Sequence, residues 1–567
     1  MTAVPHGSSS LSLAGFAPRG TRGFAIAATL AALLVLVPVA ALAVIAAGGS
    51  AGIWGHLVAN VLPQVVPTTA LLLLGVGVLV IAVGAGAAWL DTAYEFTGRR
   101  VLDSALLLPP AVPTYIVAYA YLDVLHPIGP VQTAIRALFG IASPRDFRLP
   151  EIRSLGGAII LLGFVLYPYV YLSTRALFLM QTAGLVEAAR TLGAGRTEVF
   201  FRVALPLARP AIAVGASLAL METLNDVGAS EFLGVRTLTL SVYSTWINQS
   251  DLAGAAQLAL VMLAVVVLLV LVERLARRRQ RFAAATQRSA RPARRRLTGL
   301  AALGALGLGL VPILIGFAVP AAYLVSEAAK RIAFAGLSSR ILTETVNTVA
   351  VSAAATAVAI LLGVVVAYAA RIEGGRFGRL VFRVAGLGYA LPGTVLAIGV
   401  LVPLAGLDNA VDGFARSAFG ISTGLLLSGS AAALVYAYVA RFLAISAGGV
   451  EAGMEKVPRS LDHSARTLGE TAGGVLRRVH LPLVRPALGA AAILVFVDCM
   501  KELPATLLLR PLNFETLATA LYGEAARGTY EDGAVAALAI VLVGLIPVIV
   551  LARISRPAAG LGGSIRP

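Results

Sequence analysis

Apolar runs too long for most soluble domains recur from one end of this chain to the other. "FAIAATLAALLVLVPVAALAVIAAG" (Phe24 to Gly48) and "AAQLALVMLAVVVLLVLVERL" (Ala255 to Leu275) are two of them. Each meets the roughly 20 residues that a helix needs to cross a bilayer. Lipid offers no hydrogen bonds to a bare peptide group, so a spanning segment is either a helix or part of a closed barrel. Alternating ten-residue strands of the barrel type are not seen, which leaves helices. Composition agrees: 58% of the residues are hydrophobic and 13% charged, against about 25% charged in soluble domains. The fold class is an all-α polytopic membrane protein.

The candidate spans are roughly 24–48, 66–90, 101–125, 155–178, 205–228 and 253–274, then 298–325, 343–370, 380–405, 421–446, 481–503 and 534–554, twelve in two sets of six. Between the sets lies "ERLARRRQRFAAATQRSARPARRRL", with ten arginines from Arg274 to Arg296. No bilayer core accepts such a density of charge. The expected plan is therefore an N-terminal tail (1–23), a first half (24–274, core about 64–272), an Arg-rich linker (275–297), a second half (298–555, core about 343–551) and a C-terminal tail (556–567). The first run is longer than a signal-peptide apolar region and reads as a retained span. Placing both termini in the cytoplasm puts most of the 45 Lys and Arg on that side, as positive-inside topology requires. Arg136, Arg145, Arg148 and Arg153 then face outward, with Asp146 and Glu151, in what reads as a folded external segment. The +17 net charge follows from this topology and does not point to nucleic acid.

The two halves share more than span number. Thirteen residues from Ala189 to Ala211, among them Ala189, Arg190, Leu205, Pro206 and Pro210, recur as identical residues 276 positions later, with Gly193 over Gly469. "AVPTYIVA" (Ala111 to Ala118) pairs with "ALPGTVLA" (Ala390 to Ala397) at a shift of 279. An even number of spans per half makes the repeats parallel, with a pseudo-two-fold axis along the membrane normal and a path between them.

The most conspicuous repeated segment is charged. In "EAARTLGAGRTEVFFRVALPLARPA" (Glu187 to Ala211), Leu185, Ala188, Ala189 and Leu192 recur at helical spacing. Gly193 and Gly195 supply a turn, Thr197 is a candidate N-cap, and Leu205-Pro206 opens the next span. The result is a cytoplasmic elbow with one small-residue face and one charged face. It fits either a docking site for a cytoplasmic protein or an amphipathic helix lying on the membrane; two copies in equivalent loops favour a partner with two equivalent sites.

"EAARTLG", with "VALP" nine intervening residues after Gly193, resembles the EAA signature of permease subunits of ATP-binding-cassette importers. The resemblance implies two tandem six-helix halves of the type I importer class, with coupling loops at 182–206 and 458–482. It implies that Glu187, Ala188, Ala189, Arg190, Gly193, Leu205 and Pro206 contact a separate ATPase. In the second loop His463 and Ser464 replace the first two signature residues, while Ala465, Arg466, Gly469, Leu481 and Pro482 remain. The segments Ala219 to Trp246 and Val495 to Tyr522 are similar to those of fused permeases of iron(III) importers.

The chain carries no phosphate-cradling loop. Its three lysines, Lys330, Lys456 and Lys501, are followed by Arg331, Val457 and Glu502, not by the Ser or Thr of that motif. The resemblance therefore implies a transport subunit that binds no cofactor itself, with ATP and Mg on a cytoplasmic ATPase dimer. It also implies an extracytoplasmic binding protein, surrounding lipid and a bacterial inner membrane, both termini cytoplasmic. Thiamine, polyamine or phosphonate remain as other cargoes of that class, and a secondary transporter as a different class. The single cysteine, Cys499, excludes an internal disulfide. The histidines His6, His56, His126, His463 and His480 show no metal-ligand spacing.

Charged residues near spans are costly and mark function by default. Glu222 and Asp226 in the first half, and Asp498, Lys501 and Glu502 in the second, are the substrate-path candidates; aligning Met221 with Met500 sets them face to face. The competing account has Lys501 and Glu502 paired with each other or with Arg510, holding span ends. Pro109, Pro110 and Pro113 in the third span, and Pro392 in the ninth, predict matched breaks bordering a path.

Overall fold

The computed structural model describes residues 21–49, 52–278, 294–373 and 375–554, without the side chains of 180–188, 190, 196, 277–278 and 551–554. The expected C-terminal tail, nearly all of the N-terminal one and most of the linker lie outside these residues. The first half comprises α1 (Thr21–Ala47), α2 (Ile53–Ala93), α3 (Arg99–Ala105), α4 (Thr114–Val124), α5 (Pro130–Phe139), α6 (Leu155–Thr191), α7 (Val199–Asn225), α8 (Val227–Phe232), α9 (Leu238–Ile247) and α10 (Leu252–Arg278). The second comprises α11 (Gly299–Ala335), α12 (Ser339–Glu373), α13 (Arg376–Ala385), α14 (Gly393–Phe419), α15 (Ala431–Glu455), α16 (Arg459–Thr467), α17 (Ala472–Met500), α18 (Pro504–Leu509), α19 (Leu517–Arg527) and α20 (Tyr530–Ile554). Among the described residues eleven helices are long and apolar enough to cross a membrane, or twelve if one bent pair counts as a span. The fold is all-α in two tandem halves; a two-residue parallel ladder, Tyr94–Glu95 with Arg295–Arg296, is its only sheet among the described residues.

Helices in lipid gain little from burying apolar surface against one another, so close packing of small residues has to hold them. Both halves use the same device at a spacing of 279. A Cβ on Gly84 of α2 would lie 2.7 Å from Val170 Cβ of α6, and one on Gly363 of α12 would lie 2.4 Å from Ser446 Oγ of α15. Only glycine lets these helices cross so closely. α7 completes the first three-helix core and α17 the second. The Leu238 N–H donates to Thr69 Oγ1 at 3.0 Å and the Leu517 N–H to Thr348 Oγ1 at 2.9 Å, again 279 apart.

The leading helices are exchanged. α1 packs on α12, α13 and α14 of the second half as well as on α10; a Cβ on Gly399 would lie 2.1 Å from Pro38 O, and Tyr436 OH donates to Leu34 O at 2.9 Å. Reciprocally, α11 packs on α2, α3, α4 and α6, where Tyr121 OH donates to Ile315 O and Tyr323 OH to Asp123 Oδ2, both at 2.9 Å.

Prolines explain the local irregularities. The ring has no N–H and crowds the carbonyl four residues back, and four helices answer with a single π turn ending beside an X-Pro pair. These turns are Leu57–Val61, Val199–Ala204, Leu314–Ala318 and Leu476–His480, followed by Leu62-Pro63, Leu205-Pro206, Val319-Pro320 and Leu481-Pro482. Leu205-Pro206 therefore does not open a helix as expected; α7 is already formed at Val199. The third span is broken where expected: a 3-10 turn at Pro109–Ala111 separates α3 from α4, bending the chain by 92°. The ninth is broken likewise by a 3-10 turn at Gly386–Ala390, so its long helix runs over Gly393–Phe419 instead of 380–405. The segment after α4 is folded: Gln132 and Arg136 of α5 are buried, and Gln132 bonds Leu125 O and the Leu149 N–H.

Candidate functional site: an inter-half cavity and two elbows

The two elbows lie at the same end of the helices and are mounted differently. The first half has no proline between Pro168 and Pro206, and α6 runs unbroken through the signature segment to Thr191. Gly193 then takes the left-handed conformation, φ +87°, and the next turn begins at Arg196, one residue before Thr197, which is therefore not the cap. In the second half Pro458 separates α15 from an independent α16. Gly469 repeats the turn at φ +90°, and Thr471 caps the start of α17 by accepting from the Gly474 N–H. Leu192 and Leu468, equivalent positions, are 88% and 85% exposed, so each elbow offers a bare leucine at its tip. His463 and Gly469 are exposed, Arg466 is half-buried and Ala465 is buried. Leu205, Pro206, Leu481 and Ala189 are half-buried and Pro482 is exposed. The side chains of Glu187, Ala188 and Arg190 lie outside the described residues.

Buried ion pairs hold each mount. Arg175 of α6 reaches Asp91 Oδ2 and Asp103 Oδ2, both at 2.8 Å, while Arg99 donates to Asp91 Oδ1 at 2.6 Å. In the second half Asp462 of α16 accepts from Arg371 Nε at 2.9 Å and lies 2.7 Å from His480 Nε2. Arg371 also donates to the carbonyls of Met454 and Val457. These clusters do not occupy equivalent positions.

Toward the opposite end, the breaks before α4 and α14 and the C-terminal ends of α7 and α17 enclose a cavity of about 100 Å³ between the halves. A water needs only roughly 10–15 Å³ by this measure, so the space admits an ion with several waters. Glu222, Asp226, Asp498, Lys501 and Glu502 all line it, beside Pro110 and Pro113. Glu222 Oε1 accepts from Tyr389 OH at 3.0 Å. Asp226 caps α8 by accepting from the Ala229 N–H at 2.8 Å, and the Thr114 side chain lies beside the same carboxyl. Lys501 pairs with Asp498 at 2.8 Å.

Glu502 has a structural task. Its carboxylate accepts from the N–H groups of Ala505 and Thr506, each at 3.1 Å, and from Arg441 Nη1 at 3.1 Å. Arg441 also reaches Asn225 Oδ1 at 3.3 Å, which accepts from the Gly393 N–H at 2.7 Å. Neither pairing expected of Lys501 and Glu502 forms: Arg510 pairs with Glu515 instead. The alignment of Met221 with Met500 is also corrected. Asp226 and Glu502 play one role, each accepting from the N–H three residues on, and the hydroxyls of Ser230 and Thr506 lie 2.7 and 2.8 Å from the carbonyls of Asp226 and Glu502. The register is thus 276, as in the elbows, and pairs Glu222 with Asp498, Asn225 with Lys501 and Asp226 with Glu502.

Arg441, Asn225, Tyr389 and Tyr169 also line it and were not singled out from sequence. Arg441 had a signal, being an arginine inside an apolar span. Four carboxylates stand against two bases, both from the second half. The carboxylates outnumber the bases by two, and a low-dielectric wall lined with a surplus of carboxylate favours cations. Among the described residues no three His, Cys, Asp or Glu side chains come together as a metal-binding group.

An all-α chain of two parallel, cross-wrapped halves around a charged central cavity has the architecture of a membrane transport subunit. The chain belongs to the family of binding-protein-dependent transport system inner membrane components, whose model matches residues 11–282 and 359–559. Over 86% of its length it is 23% identical to a Fe(3+)-transport system permease protein of Haemophilus influenzae, covering 90% of that protein. Over 31% of its length it is 32% identical to a molybdenum transport system permease protein of Escherichia coli, covering 77% of it. Over a similar share it is 32% identical to a putative 2-aminoethylphosphonate transport system permease protein of Salmonella paratyphi A, covering 60% of it. Membership of this family makes the chain an inner membrane component of a transport system.

Proposed function

We propose that the chain is the permease of an importer that moves iron(III) from an extracytoplasmic binding protein across the bacterial inner membrane, driven by a separate cytoplasmic ATPase dimer that holds ATP and Mg. The reading keeps both termini cytoplasmic and seats the ATPase on the elbows, through Glu187 to Gly193 with Leu205 and Pro206, and through His463 to Gly469 with Leu481 and Pro482. Glu222, Asp226 and Asp498 line the cation's way, and Lys501 and Glu502 belong to the same cavity.

The observation that carries the cargo is the cavity's surplus of carboxylate. Molybdate and phosphonate are oxyanions and would meet a surplus of carboxylate, a costly encounter in low dielectric wherever those groups are ionised. Carboxylates are hard oxygen donors suited to a ferric ion, and the absence of a clustered ligand set among the described residues suits a path that must release what it binds. The near full-length similarity to a Fe(3+)-transport permease supports the same cargo. The test is uptake of radiolabelled ferric citrate, molybdate and 2-aminoethylphosphonate by cells expressing the full chain with its ATPase and binding protein. Ferric uptake that requires this chain and falls with Glu222→Gln is expected. Oxyanion uptake in its place overturns the cargo. Full uptake without any ATPase would make the chain a secondary transporter.

A further inference from the structure

The two bases of the cavity are held in unlike ways. Arg441 is fixed by Glu502, by Asn225 and by burial, with 6% of its surface exposed. Lys501 makes a single ion pair, to Asp498 Oδ1, and its side chain keeps 31% of its surface exposed. The equivalent first-half position is the neutral Asn225. Glu222, the equivalent of Asp498, consequently has a tyrosine hydroxyl where Asp498 has an ammonium. Asp226, 8% exposed, lines the same space with no base beside it in its own half. The first half therefore supplies carboxylates and no base, and the only mobile cation of the lining is the Lys501 ammonium, which pairs with Asp498 and also acts on Glu222 from the end of a flexible four-carbon stem.

We propose that the Lys501 ammonium is a tethered counter-ion that fills the cavity between transport events and that a travelling cation must push aside, which makes Lys501 a specificity-determining residue. This inference rests on the cation-path reading. A tethered group competes at a high effective concentration, so a monovalent ion of equal charge cannot displace it. Attraction to the carboxylates scales with ionic charge, so a trivalent ion can. Displacement frees Asp498 to face Glu222 across the cavity, and the ammonium returns when the ion leaves. Ions of low charge are thereby excluded without a tight site that would trap the cargo.

The test uses the purified full chain in lipid nanodiscs with Tb³⁺ as probe, its luminescence sensitised by Tyr169 and Tyr389 in the cavity wall. Lys501→Met is expected to bind Tb³⁺ at least tenfold more tightly than wild type. Mn²⁺ added without Tb³⁺, its binding read by electron paramagnetic resonance, should likewise bind this variant at least tenfold more tightly than wild type. Lys501→Arg, which keeps the charge, should stay within threefold of wild type. Lys501→Gln should behave as Lys501→Met and replaces it should that variant not fold. Adding Glu222→Gln to either neutral variant should weaken Tb³⁺ at least tenfold. Unchanged or weaker Tb³⁺ binding in the Lys501 variants, with Glu222→Gln still weakening it, overturns the counter-ion and leaves the path standing. No effect of Glu222→Gln in any background overturns the path itself and the counter-ion with it.

Discussion

Replacing Asp462 by alanine should release the second elbow while leaving the rest of the half folded. Among the described residues the carboxylate is the one hydrogen-bonding link from α16 to the His480 ring and the Arg371 guanidinium. His480 is fully buried, and its Nδ1 already lacks a partner. Losing Asp462 leaves the whole imidazole unsatisfied, at roughly 1–3 kcal/mol for a stranded buried polar group. Arg371 fares better, because two carbonyls still hold it; about 1 kcal/mol is a fair cost for its orphaned Nε–H. Together these amount to about 2–4 kcal/mol, or roughly 30- to 700-fold in an opening equilibrium. Amide hydrogen exchange of the full chain in nanodiscs reads this directly. The amides of Arg459–Thr467 should exchange faster by that factor, while those of α12 and α15 stay protected. A rise below threefold would mean that packing, not the ion cluster, holds α16, and the argument for inequivalent mounts would fail.

Other perturbations test the helix crossings and the cavity. Gly393→Ala would place a Cβ 2.5 Å from Glu502 Oε1 and 2.6 Å from Arg441 Nη1; overpacking of this kind costs about 1–3 kcal/mol, and a lowered melting midpoint in nanodiscs is the expected result. Gly84→Val and Gly363→Val should each abolish recovery of monodisperse protein on size-exclusion chromatography, to a similar extent, since they sit at equivalent crossings. Neutralising Glu222 together with Glu502 should cost assembly, because Arg441 would be left buried without its carboxylate, at roughly 3–5 kcal/mol. Glu222→Gln alone should leave the melting midpoint within about 2 °C of wild type, a small shift of the kind expected when no buried network is broken.

Much of this architecture was legible because it is local. Apolar run length set the spans, and the prolines at 109–113 and 392 broke helices where they stood. The two glycine turns at 193 and 469 ended the elbows as their spacing implied. What escaped depends on distance. Hydropathy cannot separate the short apolar turn Gly386–Ala390 from the helices beside it, so the ninth span was placed too early. The Met221–Met500 match was a coincidence of identity; the true register emerged only from the capping roles of Asp226 and Glu502. Arg441 meets partners 61 and 216 positions away, which no local pattern reports. The exchange of α1 and α11 left no trace either, since lipid-facing and helix-facing surfaces are alike apolar.

That exchange sets a timetable for biosynthesis. α11 emerges when its seat on the first half already exists, but α1 is made before the helices it rests against, which end near Phe419. At about 5–20 residues per second, the ribosome needs roughly 20–75 s to cover the intervening chain. For the later part of that interval α1 has only α10 of its own half to rest on, and the newborn first half has an open flank that the second half closes.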